Sequence, residues 1–360
     1  MDRESGLEHP VIVQRSDPLN VETKPAALVE NFLTPQSRFY IRNHGTTPQR
    51  DDDHRIRFHG LLSMPIELSV AELKRRFPPH NVVAVMQCAG NRRADLQKFK
   101  PTSGDPWGVG AIGNAEWTGV LLSDVLDVLK PSAMAQHVAF TALDDAEHPG
   151  GRLPYGASIP LSKAVKDPVL LAYAMNGEAL TPDHGAPLRV VVPGYAGARS
   201  VKWVADVEVR ETPSDLPIQS KDYKFFPGSV SREEADWSKG VTINALPINS
   251  AICEPADGSE LTAGVTTLRG YAVAYGRAVA RVDVSVDGGR SWLQAELERD
   301  ESPWSWVLWK CQATLASGTA EVIVRAWDEA GQTQPETVET MWNFAGYLGT
   351  MWHRVYITVK

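Results

Sequence analysis

Apolar and polar positions alternate along the chain with two different periods, which predict a mixture of short strands and short helices. The apolar run 82–86 predicts a buried strand, and residues 55–62 alternate as a half-buried strand does. Residues 69–77 predict a short helix with Ser69 as its N-cap, and residues 121–129 carry leucine and valine at helical spacing. Because short strands and helices are mixed in this way, we predict an α+β fold rather than a doubly wound one.

The hydrophobic pattern becomes that of an all-β protein in the last third of the chain. Val282, Val284 and Val286 alternate with polar residues, and Asp287-Gly288-Gly289 follows as a hairpin turn. Other stretches of the same kind recur at short, regular intervals up to the C-terminus. This spacing predicts a sandwich of two sheets of the immunoglobulin type.

The change of pattern near residue 246 divides the chain into two predicted domains. Residues 1–248 form the mixed α/β domain, and residues 249–360 form the all-β domain. Residues 1–36 are polar and contain proline, so we predict an irregular N-terminal arm there. The alternating tryptophans of residues 304–309 are predicted to lie in the core of the second domain.

Composition limits the classes of partner. The 360 residues are 43% hydrophobic and 22% charged, as in an ordinary soluble protein. The formal net charge of −8 argues against a nucleic-acid or anionic-membrane partner. The sequence contains neither an apolar signal segment nor a run long enough to span a membrane, so we expect a cytoplasmic protein, or a periplasmic one if an export signal was removed.

Three cysteines lie far apart, which argues against disulfides, c-type haem and structural zinc. Cys88 ends the apolar run 82–86, and a Gly90-Asn91 turn then leads to Arg92 and Arg93. Two guanidiniums would favour the thiolate, which is the form that binds metals or attacks electrophiles. A buried structural cysteine beside two surface arginines is the alternative that the residues themselves leave open.

Several further polar groups follow predicted strands. They are Arg42-Asn43-His44, Asp183-His184 with Arg189 nearby, and the basic run 199–202. Each alone also fits an ordinary polar strand end or surface turn. Together they supply donors that suit a ligand rich in phosphate and polar heterocycle edges, although no GxxxxGK[ST] or GxGxxG nucleotide motif is present.

These residues, taken with others in the same order, resemble the sulfite oxidase family of molybdopterin enzymes, which includes assimilatory nitrate reductases. The resemblance covers the chain from about residue 30 to the end and implies the sulfite oxidase fold followed by an immunoglobulin-like dimerisation domain. The motifs that carry it are Arg42-Asn43-His44, residues 87–93, 155–160, 183–185, 191–194, 197–203, 285–289 and 325–328, Gln334-Pro335, Trp342-Asn343 and residues 352–355.

The resemblance also implies roles for individual residues. Cys88 would be the single protein ligand to molybdenum, through its thiolate. The expected substrate pocket consists of Cys88, Arg42, Arg93, Trp107, Asp222 and Tyr223. The expected contacts to the molybdopterin are Tyr40, Arg42, Asn43, His44, Cys88, Asp144, His184, Arg189, Ser200, Val201 and Lys202.

The activity that the resemblance implies is oxidation of sulfite to sulfate by oxygen-atom transfer at the molybdenum centre. We expect no haem or flavin in this chain, a separate electron acceptor (a cytochrome or oxygen), and a homodimer through the second domain. Ala345 stands where sulfite-oxidising members carry a third pocket arginine. This departure keeps reduction of nitrate or an S-oxide open as an alternative, and a non-catalytic anion-binding protein is a third.

Overall fold

The computed structural model describes residues 11–148 and 151–360. Its α-helices are α1 (Pro25–Leu28), α2 (Val70–Arg76), α3 (Arg93–Phe99), α4 (Leu122–Leu129) and α5 (Leu161–Lys166). The strands of the first part are β1 (Val11–Ser16), β2 (Leu19–Thr23), β3 (Ile41–Arg42), β4 (Arg55–Gly60), β5 (Ile66–Ser69), β6 (His80–Gln87), β7 (Ile112–Leu121), β8 (His137–His148), β9 (Gly151–Pro160), β10 (Leu170–Met175), β11 (Glu178–Ala179), β12 (Arg189–Val191), β13 (Val204–Arg210), β14 (Lys224–Phe225) and β15 (Val241–Thr242).

The second part of the chain is built from strands. They are β16 (Asn249–Glu254), β17 (Glu260–Leu261), β18 (Gly264–Val273), β19 (Val279–Ser285), β20 (Leu293–Gln294), β21 (Glu296–Glu298), β22 (Val307–Leu315), β23 (Gly318–Asp328) and β24 (His353–Val359). Short 3₁₀ turns at Gln36–Arg38, Pro182–His184 and Gly197–Arg199, and a π-helical turn at Ile218–Asp222, complete the regular structure.

Two five-stranded sheets organise the first domain. One has the order β5-β4-β13-β8-β9, and the other runs β11-β10-β7-β6 with β12 also paired to β10. Strand β6 contains the predicted buried strand, and α2 begins after Ser69, whose side chain accepts a hydrogen bond from the Glu72 backbone in a complete capping box. Helices α2 and α4 pack their apolar residues into one cluster with both sheets, so the α+β prediction is confirmed.

The predicted irregular N-terminal arm is wrong for the residues that the structure describes. Strands β1 and β2 form a hairpin, and β2 pairs with β3 through Asn20 opposite Arg42 and Val21 opposite Ile41. Every residue of β2 is buried. Polar residues of this segment bond to a distant loop: Glu22 accepts the N–H groups of Gly108 and Gly110, and Arg15 pairs with Asp105. Residues 1–10 of the predicted arm lie outside the described part.

The second domain is the predicted sandwich of two sheets. Their orders are β16-β18-β22-β21 and β17-β24-β23-β19-β20. Val282, Val284 and Val355 belong to the apolar cluster between the sheets. The fold-class prediction for this domain is therefore confirmed.

The three alternating tryptophans do not share one core, contrary to the prediction. Trp309 packs inside the sandwich, whereas the indole N–H of Trp306 donates to Phe32 O of the first domain at 3.0 Å. Trp304 packs beside the ammonium of Lys163, 4.4 Å from its ring centroid. Strand β22 begins only after these two residues, so they are free to pack on the first domain.

The two domains share packed residues. One apolar cluster includes Val85 and Ala89 of the first domain and Tyr271 and Leu308 of the second. Because this cluster contains residues from both sides of position 248, the domain boundary at that residue stays a prediction. Within the described ranges, no helix has the length and apolar character that crossing a membrane requires.

Candidate active site

A cavity lies in the first domain, beside the end of β6. Strands β3, β8 and β12 and the turns around residues 183 and 200 provide its remaining sides. The predicted site residues that line it are Tyr40, Arg42, Asn43, His44, Cys88, Asp144, His184, Arg189, Ser200, Lys202 and Tyr223.

Cys88 is the first residue after β6. Its backbone N–H donates to Ala111 O at 2.9 Å, which continues the pairing of β6 with β7. The Gly90 N–H lies 3.4 Å from the sulfur and donates to it. The thiol is buried at the cavity lining, so it faces the interior of the site rather than the protein surface.

The two arginines after this turn have different surroundings. Arg92 adopts a left-handed backbone (φ 66°) and sends its guanidinium into the second domain, where it donates to Asn249 Oδ1 at 3.1 Å and Met351 O at 2.7 Å. Arg93 begins α3, and its guanidinium bonds the loops that contain Asp105 and Ala345. The two neighbouring arginines therefore bond different parts of the protein.

Arg93 lies in a narrow slot. Its guanidinium donates to Asp105 O at 2.8 Å and Ala345 O at 3.2 Å. A Cβ atom added at Gly90 would lie 2.5 Å from that guanidinium, so a larger residue there would require the Arg93 side chain to move. The methyl group of Ala345 packs against an apolar cluster that contains Phe226.

The N-terminal hairpin holds the residues around Arg42. Asn20 Oδ1 accepts the Asn43 backbone N–H at 2.8 Å and lies 3.4 Å from the Arg42 guanidinium, which donates also to Asn43 O. Arg15, on β1, forms an ion pair of 2.6 Å with Asp105, the residue whose carbonyl holds Arg93. The hairpin thus positions both of the arginines expected in the substrate pocket.

Three basic groups line the opposite side of the cavity. Arg189 donates to His184 O at 2.9 Å and Ser200 O at 3.2 Å, and burial lowers its pKa to about 10. Lys202 donates to Asp183 O at 2.9 Å, and burial, followed by the charge of Arg189, lowers its pKa to about 7. Burial lowers the pKa of His184 to about 3, so the imidazole is neutral and its Nε2–H donates to Phe39 O at 3.2 Å.

The cavity lining contains more cations than carboxylates, because Arg42, Arg189 and Lys202 line it together with Asp144 and Asp183. The two carboxylates act on Lys202 through their charge, but within the described ranges none of the three cations forms a salt bridge with a carboxylate. Buried cations without an anionic partner are costly, and they indicate an anionic ligand. The side-chain oxygen Oδ1 of Asp144 is buried without a hydrogen-bond partner among these residues, and burial raises the pKa of this carboxyl to about 6.

These observations fit a phosphate-bearing heterocycle with a metal. Arg189 and Lys202 suit a phosphate, Asp144 suits a ring edge with N–H groups, and the Cys88 sulfur is a soft ligand for molybdenum. The residues present therefore fit a molybdopterin.

Tyr223 and His44 form a hydrogen-bonded pair next to Arg42. The phenol oxygen lies 3.1 Å from His44 Nε2. Burial, followed by the charge of Arg42, lowers the pKa of His44 well below its usual value, and burial raises the pKa of Tyr223 well above its usual value. The phenol and the imidazole are therefore both neutral, and the tautomer of His44 sets which of the two donates the hydrogen bond.

Comparison with known proteins decides the family. Residues 44–218 match the model of the oxidoreductase molybdopterin binding domain, and residues 240–360 match that of the Mo-co oxidoreductase dimerisation domain. Sulfite oxidase from Gallus gallus is 43% identical over 96% of this chain and 78% of its own length. This chain belongs to the sulfite oxidase family.

Other members of the family are similar over nearly the whole chain. Sulfite oxidase from Arabidopsis thaliana is 41% identical over 97% of this chain and 94% of its own length. Nitrate reductase [NAD(P)H] from Hordeum vulgare is 38% identical over 98% of this chain and 42% of its own length. The solved sulfane dehydrogenase SoxCD from Paracoccus pantotrophus shares the fold, with a TM-score of 0.81, 24% identity, and coverage of 94% of this chain and 84% of that one.

Four of the residues expected in this sulfite oxidase family site do not line the cavity. Trp107 is fully buried in one cluster with Cys88, and its indole N–H has no partner within the described ranges. Asp222 is 39% exposed and pairs with His148 at 3.5 Å. Val201 lies in the apolar core, and Arg93 lies in its slot. The ligand contacts expected of these four residues stay predictions.

Residues that the sequence did not single out as ligand contacts also line the cavity. Met86 Sδ lies 3.0 Å from the Arg189 guanidinium, and Tyr155 donates its hydroxyl to Ala198 O at 2.8 Å. Tyr155 and Asp183 stand within motifs that carried the family resemblance, so their position in those motifs was a usable signal. Met86 lies within an ordinary apolar strand, which gave no such signal.

Proposed function

We propose that this protein oxidises sulfite to sulfate by oxygen-atom transfer at a molybdenum centre held by Cys88, and passes the electrons to a separate acceptor. The observation that carries the proposal is the Cys88 thiol at the lining of a cavity in which cations outnumber carboxylates. The relatives of highest identity named above are called sulfite oxidases, which supports sulfite as the substrate.

The protein's own residues would hold the cofactor. Cys88 would bind the metal through its thiolate, and Arg189 and Lys202 would bind the phosphate. Asp144 and Asn43 would bond the edges of the pterin ring. When bound, the molybdenum cofactor supplies the two-electron redox chemistry that oxygen-atom transfer requires.

Substrate binding would rest on charge and on hydrogen-bond donors. Arg42 and Arg93 supply positive charge on the Cys88 side, and charge-assisted hydrogen bonds to an oxyanion are among the strongest available in a protein site. Tyr223 stays protonated because burial raises its pKa, so it can donate to a substrate oxygen. The indole N–H of Trp107, which bonds no group in the part of the chain that the structure describes, supports a similar role for that residue.

The position of Ala345 favours a second candidate, reduction of nitrate or an S-oxide. A methyl group packed on an apolar cluster supplies no cation to the pocket. Without one charged hydrogen bond, the binding of a doubly charged anion is weaker by about 1.5–3 kcal/mol. A singly charged or neutral oxo-substrate would lose only part of this binding free energy. The nitrate reductase relative shows lower identity than the two sulfite oxidases, so sulfite remains the first proposal.

Steady-state kinetics on protein of known molybdenum content tests the proposal. We expect stoichiometric molybdenum and sulfite oxidation with ferricyanide as acceptor, at a low KM. Full molybdenum without sulfite turnover would contradict sulfite as the substrate, and nitrate and S-oxides would then be assayed with a reduced viologen dye. Protein that retains the fold but binds no molybdenum would contradict the whole proposal.

Assembly and location are part of the same proposal. The match to a dimerisation domain supports a homodimer through residues 240–360. We propose a cytoplasmic enzyme whose electrons leave to a cytochrome or to oxygen. Sedimentation of the purified protein measures the first point, and fractionation of the source cells measures the second.

A further inference from the structure

A loop of the second domain, residues 343–349, lies against the turn that follows β6. The Leu348 backbone N–H donates to Ala89 O at 2.9 Å. The Asn343 side chain fixes the loop from within, because it donates to Tyr347 O at 2.8 Å and accepts the Tyr347 N–H at 3.1 Å. Three hydrogen bonds therefore fix the position of Tyr347 relative to the turn that contains Cys88.

The ring of Tyr347 contacts two residues of the proposed substrate pocket. It stacks on Tyr223 with ring centroids 5.3 Å apart and planes inclined by 20°. The Arg93 guanidinium lies 5.4 Å from the centre of the Tyr347 ring, within the range of a cation–π interaction. Tyr347 thus bridges the cation and the phenol that would bind the oxyanion.

The hydroxyl of Tyr347 differs from those of Tyr155 and Tyr223 in its hydrogen bonding. Within the described ranges, no group forms a hydrogen bond with it, whereas the hydroxyls of Tyr155 and Tyr223 are both bonded. Burial raises the pKa of Tyr347 to about 12, and the charges of Arg93, Asp222 and Arg42 act on it, so this phenol lies in the electrostatic field of the site. A protonated hydroxyl in such surroundings is available to a ligand oxygen.

We propose that Tyr347 is a substrate-binding residue, whose hydroxyl donates a hydrogen bond to an oxygen of the oxyanion held by Arg93 and Tyr223. This inference rests on the proposed function. Tyr347 follows Ala345 by two residues, so the loop offers a neutral donor close to the position where the family pattern has an arginine. The pocket then binds a small oxyanion with two guanidiniums and two phenols.

The variant Tyr347→Phe tests the hydroxyl alone, because it keeps the ring and its two contacts. We expect KM for sulfite to rise about tenfold or more, with kcat within twofold of the wild type, because the lost bond is one to a charged group. The dissociation constant of sulfate, titrated calorimetrically into the molybdenum-loaded protein, should rise by the same factor. Values of KM and of the sulfate constant within twofold of the wild type would overturn the proposal.

A second variant and a control separate binding from packing. Tyr347→Leu also removes the ring; if it is impaired while Tyr347→Phe equals the wild type, Tyr347 acts by packing and the proposal is wrong. Tyr356→Phe is the control, since its exposed hydroxyl bonds Glu321 at 3.0 Å, away from the site. An equal rise of KM in this control would also overturn the assignment.

The sulfate titration keeps this test independent of the proposed activity. If the wild type holds molybdenum but does not oxidise sulfite, the proposed function fails while the sulfate constants of the wild type and Tyr347→Phe still decide the role of Tyr347. Molybdenum content and far-UV circular dichroism equal to those of the wild type show that each variant is folded and loaded.

Discussion

The side-chain oxygen of Asn20 accepts the backbone N–H of Asn43 at 2.8 Å. Asn20 is fully buried on the N-terminal hairpin, and Asn43 follows an arginine expected to bind both cofactor and substrate. The segment that the sequence predicted to be an irregular arm therefore positions residues of the candidate site. The effect of Asn20 on Arg42 can be measured.

Asn20→Ala should destabilise the protein by about 1–3 kcal/mol, because it leaves the buried Asn43 N–H without a partner. Arg42 also loses its contact with Asn20 Oδ1, so KM for sulfite should rise. Urea unfolding and steady-state kinetics measure the two effects. Asn81→Ala is the control, since Asn81 is exposed and bonds Thr118 far from the cavity. Equal unfolding midpoints for the two variants would contradict this role of the hairpin.

Cys88→Ser should abolish sulfite oxidation and lower the molybdenum content, because a hydroxyl is a harder and weaker ligand than a thiolate. The fold and the dimer should persist, as shown by circular dichroism and sedimentation. Cys311→Ala is the matched control: Cys311 is buried in the second domain, and its substitution should leave the molybdenum content unchanged. Retained turnover in Cys88→Ser would exclude the thiolate as metal ligand.

Arg189→Met should prevent retention of the cofactor without destabilising the cofactor-free protein. The guanidinium is buried among carbonyl and sulfur acceptors, and removal of such a charge is neutral or stabilising when no anion is bound. The molybdenum-to-protein ratio and the melting temperature of the cofactor-free protein measure the two effects. Lys98→Met, on the exposed side of α3, is the control. A lower melting temperature with full molybdenum would mean that Arg189 is a structural residue.

The stability of the cofactor-free protein should rise with pH above 7. Lys202 has a pKa of about 7 in the folded state, against a usual value of 10.5. Between pH 7 and pH 10.5 the unfolded chain therefore binds more protons than the folded protein does. The free energy of unfolding then increases with pH across that interval, by at most about 1.4 kcal/mol per pH unit. Lys202→Met should remove this slope. Denaturant unfolding at several pH values measures it, and equal slopes in both proteins would refute the assignment.

The sequence could predict what depends on local pattern. The apolar run before Cys88 is followed by a turn, and strand β6 ends there in the structure. The alternation of Val282 and Val284 placed both in the core of a sandwich. Burial on one face of a strand imposes a period of two residues, so such strands can be recognised from the sequence alone. The family resemblance likewise depended on local sequence, because its motifs are short and follow one another in a fixed order.

Only the tertiary structure decided which side chains meet across long stretches of chain. Arg92 and Arg93 are neighbours in sequence, yet Arg92, with its left-handed backbone, donates to Asn249 of the second domain, whereas Arg93 donates to Asp105 O and lies beside the Tyr347 ring. Asn20 and Tyr347 lie far from Cys88 in sequence, and neither carries a local signal of its role. Single hydrogen bonds and ring contacts between distant segments leave no periodicity in the sequence. Only the folded structure therefore shows that the N-terminal hairpin contacts Arg42 and that the second-domain loop contacts Arg93.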